Sequence, residues 1–199
     1  MAKMKTPKAI GAEDLGVAIL RSIDAEFRSA EDRALAVIGA SYLDSILEQL
    51  LRAAFIDDEE EADRLLAPDR PIGANGARYQ LAYCLGLISA EQRDDLKTIA
   101  KVRNLFAHNY SVASLEDERA KGCLKGLHFA RRREVIRREL ISRESNPGVK
   151  VSLKNAGTKH RTLLRDAVFE LIVLLLPKTR DVRRAEPSVW FGNAGGAIT

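Results

Sequence analysis

The sequence predicts an all-α bundle of helices with a basic C-terminal helical extension. Apolar residues recur every three to four positions through several long segments. Ser and Asp residues followed by acids stand ahead of those segments, where helix starts need caps and negative charge. Only one short stretch, around Val149–Lys154, alternates in the manner of a strand. A hydrophobic content of 46% is ample for a core, and 30% charged residues is ordinary for a water-exposed surface.

Residues 1–11 read as an arm. The first helix spans Glu13 to Arg28, with Leu15, Ile19, Ile23 and Phe27 at steps of four. Ser29 is the expected N-cap of a second helix over Ala30–Ile56, with Glu31 and Asp32 in its first turn. Leu35, Ile38, Tyr42 and Ile46 form one apolar stripe of that helix, and Leu43, Leu47 and Leu51 a second. A helix apolar on two sides touches several neighbours, so this one is expected at the centre. Asp57-Asp58-Glu59-Glu60-Glu61 ends it and starts a short helix to Leu66 as a solvated acidic turn. Pro68 and Pro71 frame a loop. Ala74–Leu87 is the next helix, with Gly86 near its end.

Ser89 caps the helix that follows, which closes on Arg103-Asn104-Leu105-Phe106-Ala107-His108. Asn109 suits a left-handed stop. Ser114 precedes a helix over Leu115–Phe129. Residues 131–143 form an amphipathic basic helix, broken by Ser145-Asn146-Pro147-Gly148. Thr158 starts a final helix to Leu176, which Pro177 ends. The expected organisation is a bundle over residues 12–130, a basic extension over 131–177 packed on it, and a loose tail over 178–199.

Cys84 and Cys123 sit among apolar residues and are expected to be buried and reduced, in a cytoplasmic protein. Two cysteines without CxxC spacing and three scattered histidines give no metal site, and no motif calls for a cofactor. His128 and His160 have no acid beside them in sequence and are read as surface or helix-end residues. The lysines near the N-terminus are followed by no apolar run, which excludes a signal peptide. Leu171–Leu176 is too short to cross a bilayer, so no membrane partner is expected.

Charge is distributed unevenly. Residues 1–100 hold 12 Lys and Arg against 18 Asp and Glu, and residues 101–199 hold 20 against 10. The basic half either meets an anionic partner, RNA or DNA being the usual one, or neutralises the acidic half across an interface. Arg131, Arg132, Arg133, Arg137 and Arg138 are the candidate phosphate contacts. The bland alternative is a solvated helix face whose arginine stems cover apolar surface. An aromatic content of 6% argues against a base-stacking platform.

The densest chemistry lies at Arg103, Asn104 and His108. Histidine exchanges protons near neutral pH, and arginine forks onto phosphate. Asn104 and His108, four apart, share a helix face, whereas Arg103 and His108 diverge by roughly 140°. The structural alternative is simpler: a last-turn histidine meets the helix dipole and its free carbonyls.

Arg-Asn-x-x-x-His resembles the signature of the HEPN superfamily of helical bundles, many of them metal-independent ribonucleases. Ala34–Asp44, Leu81–Ile88 and Arg103–His108, in that order and spacing, resemble the narrower mannitol-operon repressor family. The HEPN resemblance implies a dimer whose paired motifs face one cleft and cut RNA with Arg103, Asn104 and His108. Asp44 is a further polar partner through the resemblance alone. The repressor resemblance implies a non-catalytic bacterial regulator. No adjacent helix pair forms a helix-turn-helix, so such a regulator would act through another regulatory protein. The preferred expectation is therefore a homodimeric regulator that binds protein or nucleic acid. The alternative is a toxin-like ribonuclease held by an antitoxin.

Overall fold

The computed structural model describes residues 12–129 and 159–187, with side chains described from Leu20 onward. These residues form helices and no strand: α1 (Ala12–Ser29), α2 (Asp32–Ala54), α3 (Glu59–Leu66), α4 (Asn75–Cys84), α5 (Ala90–His108), α6 (Glu118–Leu124), α7 (Lys159–Leu175) and α8 (Lys178–Asp181). The fold is all-α, as expected. The basic segment with Arg131, Arg132, Arg133, Arg137 and Arg138, and the strand-like stretch Val149–Lys154, lie outside the described residues.

α2 is the axis of the bundle. It packs against α5, α7, α4, α8 and α3. Its buried side chains, from Leu35 through Leu43, Leu47 and Leu50 to Leu51, occur on two stripes, as a helix surrounded by neighbours requires. It is long and apolar enough to span a membrane by length and composition, with half of that window buried inside the bundle. α5 contributes Leu96, Ile99, Val102 and Phe106 to the same core.

α7 enters this core more deeply than its C-terminal position implied. Leu164, Ala167, Val168, Leu171, Ile172 and Leu175 are all buried. Gly39 of α2 allows the close approach: a Cβ there would stand 3.1 Å from Cγ1 of Val168. Residues 178–185, within the expected loose tail, make specific contacts. Lys178 donates to the Leu87 carbonyl at 2.8 Å, and Ala185 N–H to the Ala54 carbonyl at 2.9 Å.

Several boundaries differ from the sequence reading, each for a local reason. Ser29 does not cap α2; its hydroxyl turns back to the Glu26 carbonyl, and Glu31 takes the N-cap position. α4 ends at Cys84, not Leu87. Gly86 lies at φ +70°, while Leu87 N–H reaches the Ala82 carbonyl and Gly86 N–H that of Tyr83, a Schellman stop. α6 begins only at Glu118 because Ser114 forms a turn and Asp117 caps instead, accepting from Arg119 N–H at 2.9 Å. It stops at Lys125–Gly126, where a Cβ on Gly126 would meet Thr98 Oγ1 at 3.2 Å.

The cysteines differ too. Cys84 is exposed and Cys123 half-buried, both as free thiols. Cys84 closes the last turn of α4, and Gln80 donates to its sulfur at 3.6 Å.

Candidate functional site

α5 starts as its sequence requires. Ser89 accepts from Gln92 N–H at 3.2 Å, and the Gln92 side chain accepts from Ser89 N–H at 2.9 Å, a reciprocal capping box. The far end is built differently from expectation. Asn109 is extended, at φ −123° and ψ 99°, not left-handed. It closes the helix with two donors, its backbone N–H at 3.1 Å and its side-chain amide at 3.2 Å, both on the Leu105 carbonyl. That double bond removes the need for a positive φ.

The cation at this helix end is Arg33 of α2, not His108. Arg33 donates to the carbonyls of Phe106, Asn109 (3.4 Å) and Val112 (3.0 Å), and its guanidinium lies 5.9 Å from the centre of the Phe106 ring. Free carbonyls at a helix C-terminus attract a fixed positive charge. Sequence reasoning missed Arg33 because its partners lie more than seventy positions downstream.

Arg103, Asn104 and His108 all lie on the last two turns of α5. Arg103 Nη1 donates to the Asn104 side-chain oxygen at 2.9 Å. Asn104 and His108 face outward, and among the described residues none hydrogen-bonds to the His108 ring. Asp44 is committed elsewhere. It pairs with Arg78 of α4 at 2.7 Å, and Arg78 is itself 4% exposed. Arg78 also binds Glu48 at 3.0 Å and the carbonyls of Leu66 (2.7 Å) and Ile72 (3.2 Å). Burial pushes the Asp44 carboxyl above the usual range, against the pull of Arg78 and the more distant Arg103. Its Oδ1 has no hydrogen-bond partner and borders a cavity of about 20 Å³ lined also by Asn75 and Tyr79. That volume admits one water molecule and no substrate.

The remaining histidines have acid partners supplied by the fold. His160 Nδ1 lies 2.9 Å from both carboxylate oxygens of Glu116, and His128 Nε2 lies 3.8 Å from Asp94. The absence of an acid beside them in sequence was misleading because both partners come from other segments. Asp95, fully buried, accepts from the backbone N–H of His128 (2.6 Å) and Phe129 (3.1 Å). Asp32 accepts from Ser114, Leu115 N–H and Arg161, and Arg161 also donates to the carbonyls of Phe27, Arg28 and Ala30 at the end of α1. Among the described residues, no group of His, Cys, Asp and Glu has the geometry to hold a metal.

A family model described as "Mannitol repressor" matches residues 29–175. The search of curated proteins gave no match. Two solved structures share the fold. MtlR in its complex with HPr, from Escherichia coli, is 17% identical with a TM-score of 0.55, over 81% of this chain and 98% of that one. A possible transcriptional regulator, YggD from Shigella flexneri, is 14% identical with a TM-score of 0.51, over 81% and 97%.

Proposed function

Because the chain belongs to the mannitol repressor family, we propose that it is a non-catalytic bacterial regulator that works by binding another protein, as a cytoplasmic homodimer. The observation that carries this reading is the state of the Arg103–His108 motif. A metal-independent ribonuclease needs a proton-transfer group and a cation converging on one phosphate. Here the Arg103 fork is turned onto Asn104, His108 points to solvent, and Asp44 is locked to Arg78. Motif residues serving as surface and scaffold fit a binding protein. The complex of the structurally similar MtlR with HPr supplies a concrete partner to try.

Nucleic-acid contact through Arg131, Arg132, Arg133, Arg137 and Arg138 stays within the proposal as a secondary activity. It is expected to weaken steeply with salt.

The test is calorimetric titration of the purified protein with HPr, run beside an RNA-cleavage assay in EDTA. Binding without cleavage is the expected result. Wild-type cleavage that His108→Ala abolishes at unchanged melting temperature would restore the enzyme reading, with Arg103, Asn104 and His108 as its catalytic groups. Sedimentation equilibrium at micromolar concentration checks the dimer, and a monomer there removes it from the proposal.

A further inference from the structure

Several cations among the described residues are paired with an acid close by in sequence. Arg28 has Asp24, Arg64 has Glu60 and Glu61, Arg119 has Asp117, and Lys121 has Glu118. The outer face of α5 gathers cations without such acids along one helix. From Leu96 to Leu115 the sequence contains no acidic residue, yet it holds Lys97, Lys101, Arg103 and His108. Lys97, Lys101, Asn104 and His108 are all exposed and fall at steps of four, three and four, so they form one straight stripe. The stripe is about 16 Å long at 1.5 Å per residue. Neither lysine has an ion-pair partner among the described residues; the nearest carboxylate on the helix, Asp94, is turned to Arg93 at 2.8 Å. Lys125, also exposed, lies in the turn whose Gly126 approaches Thr98 of α5. At the end of the stripe stands Tyr110, 93% exposed, the most exposed large apolar side chain described.

We infer that this face of α5, with Tyr110 as its anchor, is a docking surface for an acidic helical segment of a partner protein. The inference rests on the protein-binding reading above and adds the surface and the chemistry of the partner. Unpaired lysines at helical steps match carboxylates at the same steps on a facing helix, and such complementarity steers encounter and fixes register. A lone exposed tyrosine beside them fits the aromatic anchors that dominate protein interfaces. Nucleic acid is disfavoured on three counts. One donor of Arg103, the best phosphate clamp, is already turned to the neutral Asn104 amide. The face is a convex helix, and the clefts at Asp44, along Val37–Ser45 and beneath Arg183–Glu186 are lined by other residues. Only one aromatic is offered, where strand binding uses successive stacked bases.

The experiment uses the full chain, isotopically labelled, titrated with a capped helical peptide that has Glu at i, i+4, i+7 and i+11. Amide shifts are expected to cluster at Lys97, Lys101, His108, Tyr110 and Lys125. The Lys97→Glu, Lys101→Glu double variant is expected to weaken binding about tenfold or more, as like-charge juxtaposition requires. Tyr110→Ala should weaken it at unchanged circular dichroism. All three positions are on the surface, so folding is not at risk, and a Lys97→Gln, Lys101→Gln variant should fall between wild type and reversal. Shifts elsewhere, no shifts, or equal affinity in the reversal variant would overturn the inference. So would tighter, steeply salt-dependent binding of oligouridylate at the same amides, which would make the face a nucleic-acid surface. HPr titration judges the broader reading separately. If wild type and reversal variant bind HPr equally, that reading stands and the docking surface must be sought elsewhere.

Discussion

Asp44 and Arg78 show how one buried pair governs a stretch of the fold. Arg78 ties α4 to Asp44 and Glu48 of α2 and to the carbonyls after α3. Replacing it by Leu leaves two half-buried carboxylates and two carbonyls without their donor. The expected loss is about 3–5 kcal/mol, the usual result of removing one partner of a buried pair. Chemical denaturation checks it, and a loss under about 1 kcal/mol, typical of surface pairs, would mean that water replaces the guanidinium. Asp44 itself has a definite pH signature. Burial raises its folded pKa above the unfolded one. Stability from such a group is complete below the unfolded pKa and is lost as pH rises through the folded value. Asp44→Asn removes that loss, so its stability should change less than wild type from about pH 4 toward neutrality. Parallel curves for the two proteins would show that Asp44 does not titrate in this range.

At the scale of the element, α5 was legible at its start and illegible at its end. Ser89, Gln92 and the Leu96–Phe106 stripe are local signals, and the helix begins and runs as they dictate. Its end is set by Arg33, and the neighbouring loops by Asp32–Ser114, Asp95–His128 and Glu116–His160. All of these join residues more than thirty positions apart, and no periodicity or capping rule reaches that far. Sequence reasoning did not single out the outward stripe Lys97–His108; that its lysines have no ion-pair partner among the described residues is clear only once the folded neighbours are known. α4 gives the complementary case. Gly86 was visible as a punctuation mark, and its φ of +70° places it where side chains with Cβ are strained. Gly86→Ala is expected to lower stability by about 1 kcal/mol with little change in helical content. Arg33→Met, which keeps much of the stem and removes the donors, should lower it by about 2 kcal/mol, because hydrogen bonds from a charged donor are lost at the end of α5. If Arg33→Met is neutral, Asn109 alone closes that helix.

For the molecule as a whole, the unevenness of charge and the geometry of packing draw different boundaries. Charge changes sign near the middle of the chain, and the basic segment from 131 is why a bundle over 12–130 and an extension over 131–177 were expected. Packing places α7 against α2, with Leu164, Val168, Leu171 and Ile172 buried in the same apolar core as Leu43 and Leu47. Arg161, on α7, also closes the end of α1 and holds Asp32. Removing α7 therefore uncovers one side of the central helix and leaves the first interhelical turn without its cation. A chain ended at residue 130 is expected to lose cooperative unfolding and to bind hydrophobic dye, since α2 would expose an apolar stripe that no other described helix covers. Ile172→Ala in the full chain is the milder version, with an expected loss of about 2–5 kcal/mol and a single transition retained. Should the truncated chain unfold cooperatively with native-like near-ultraviolet dichroism, the first 130 residues form a unit on their own, and α7 is an added layer rather than part of the core.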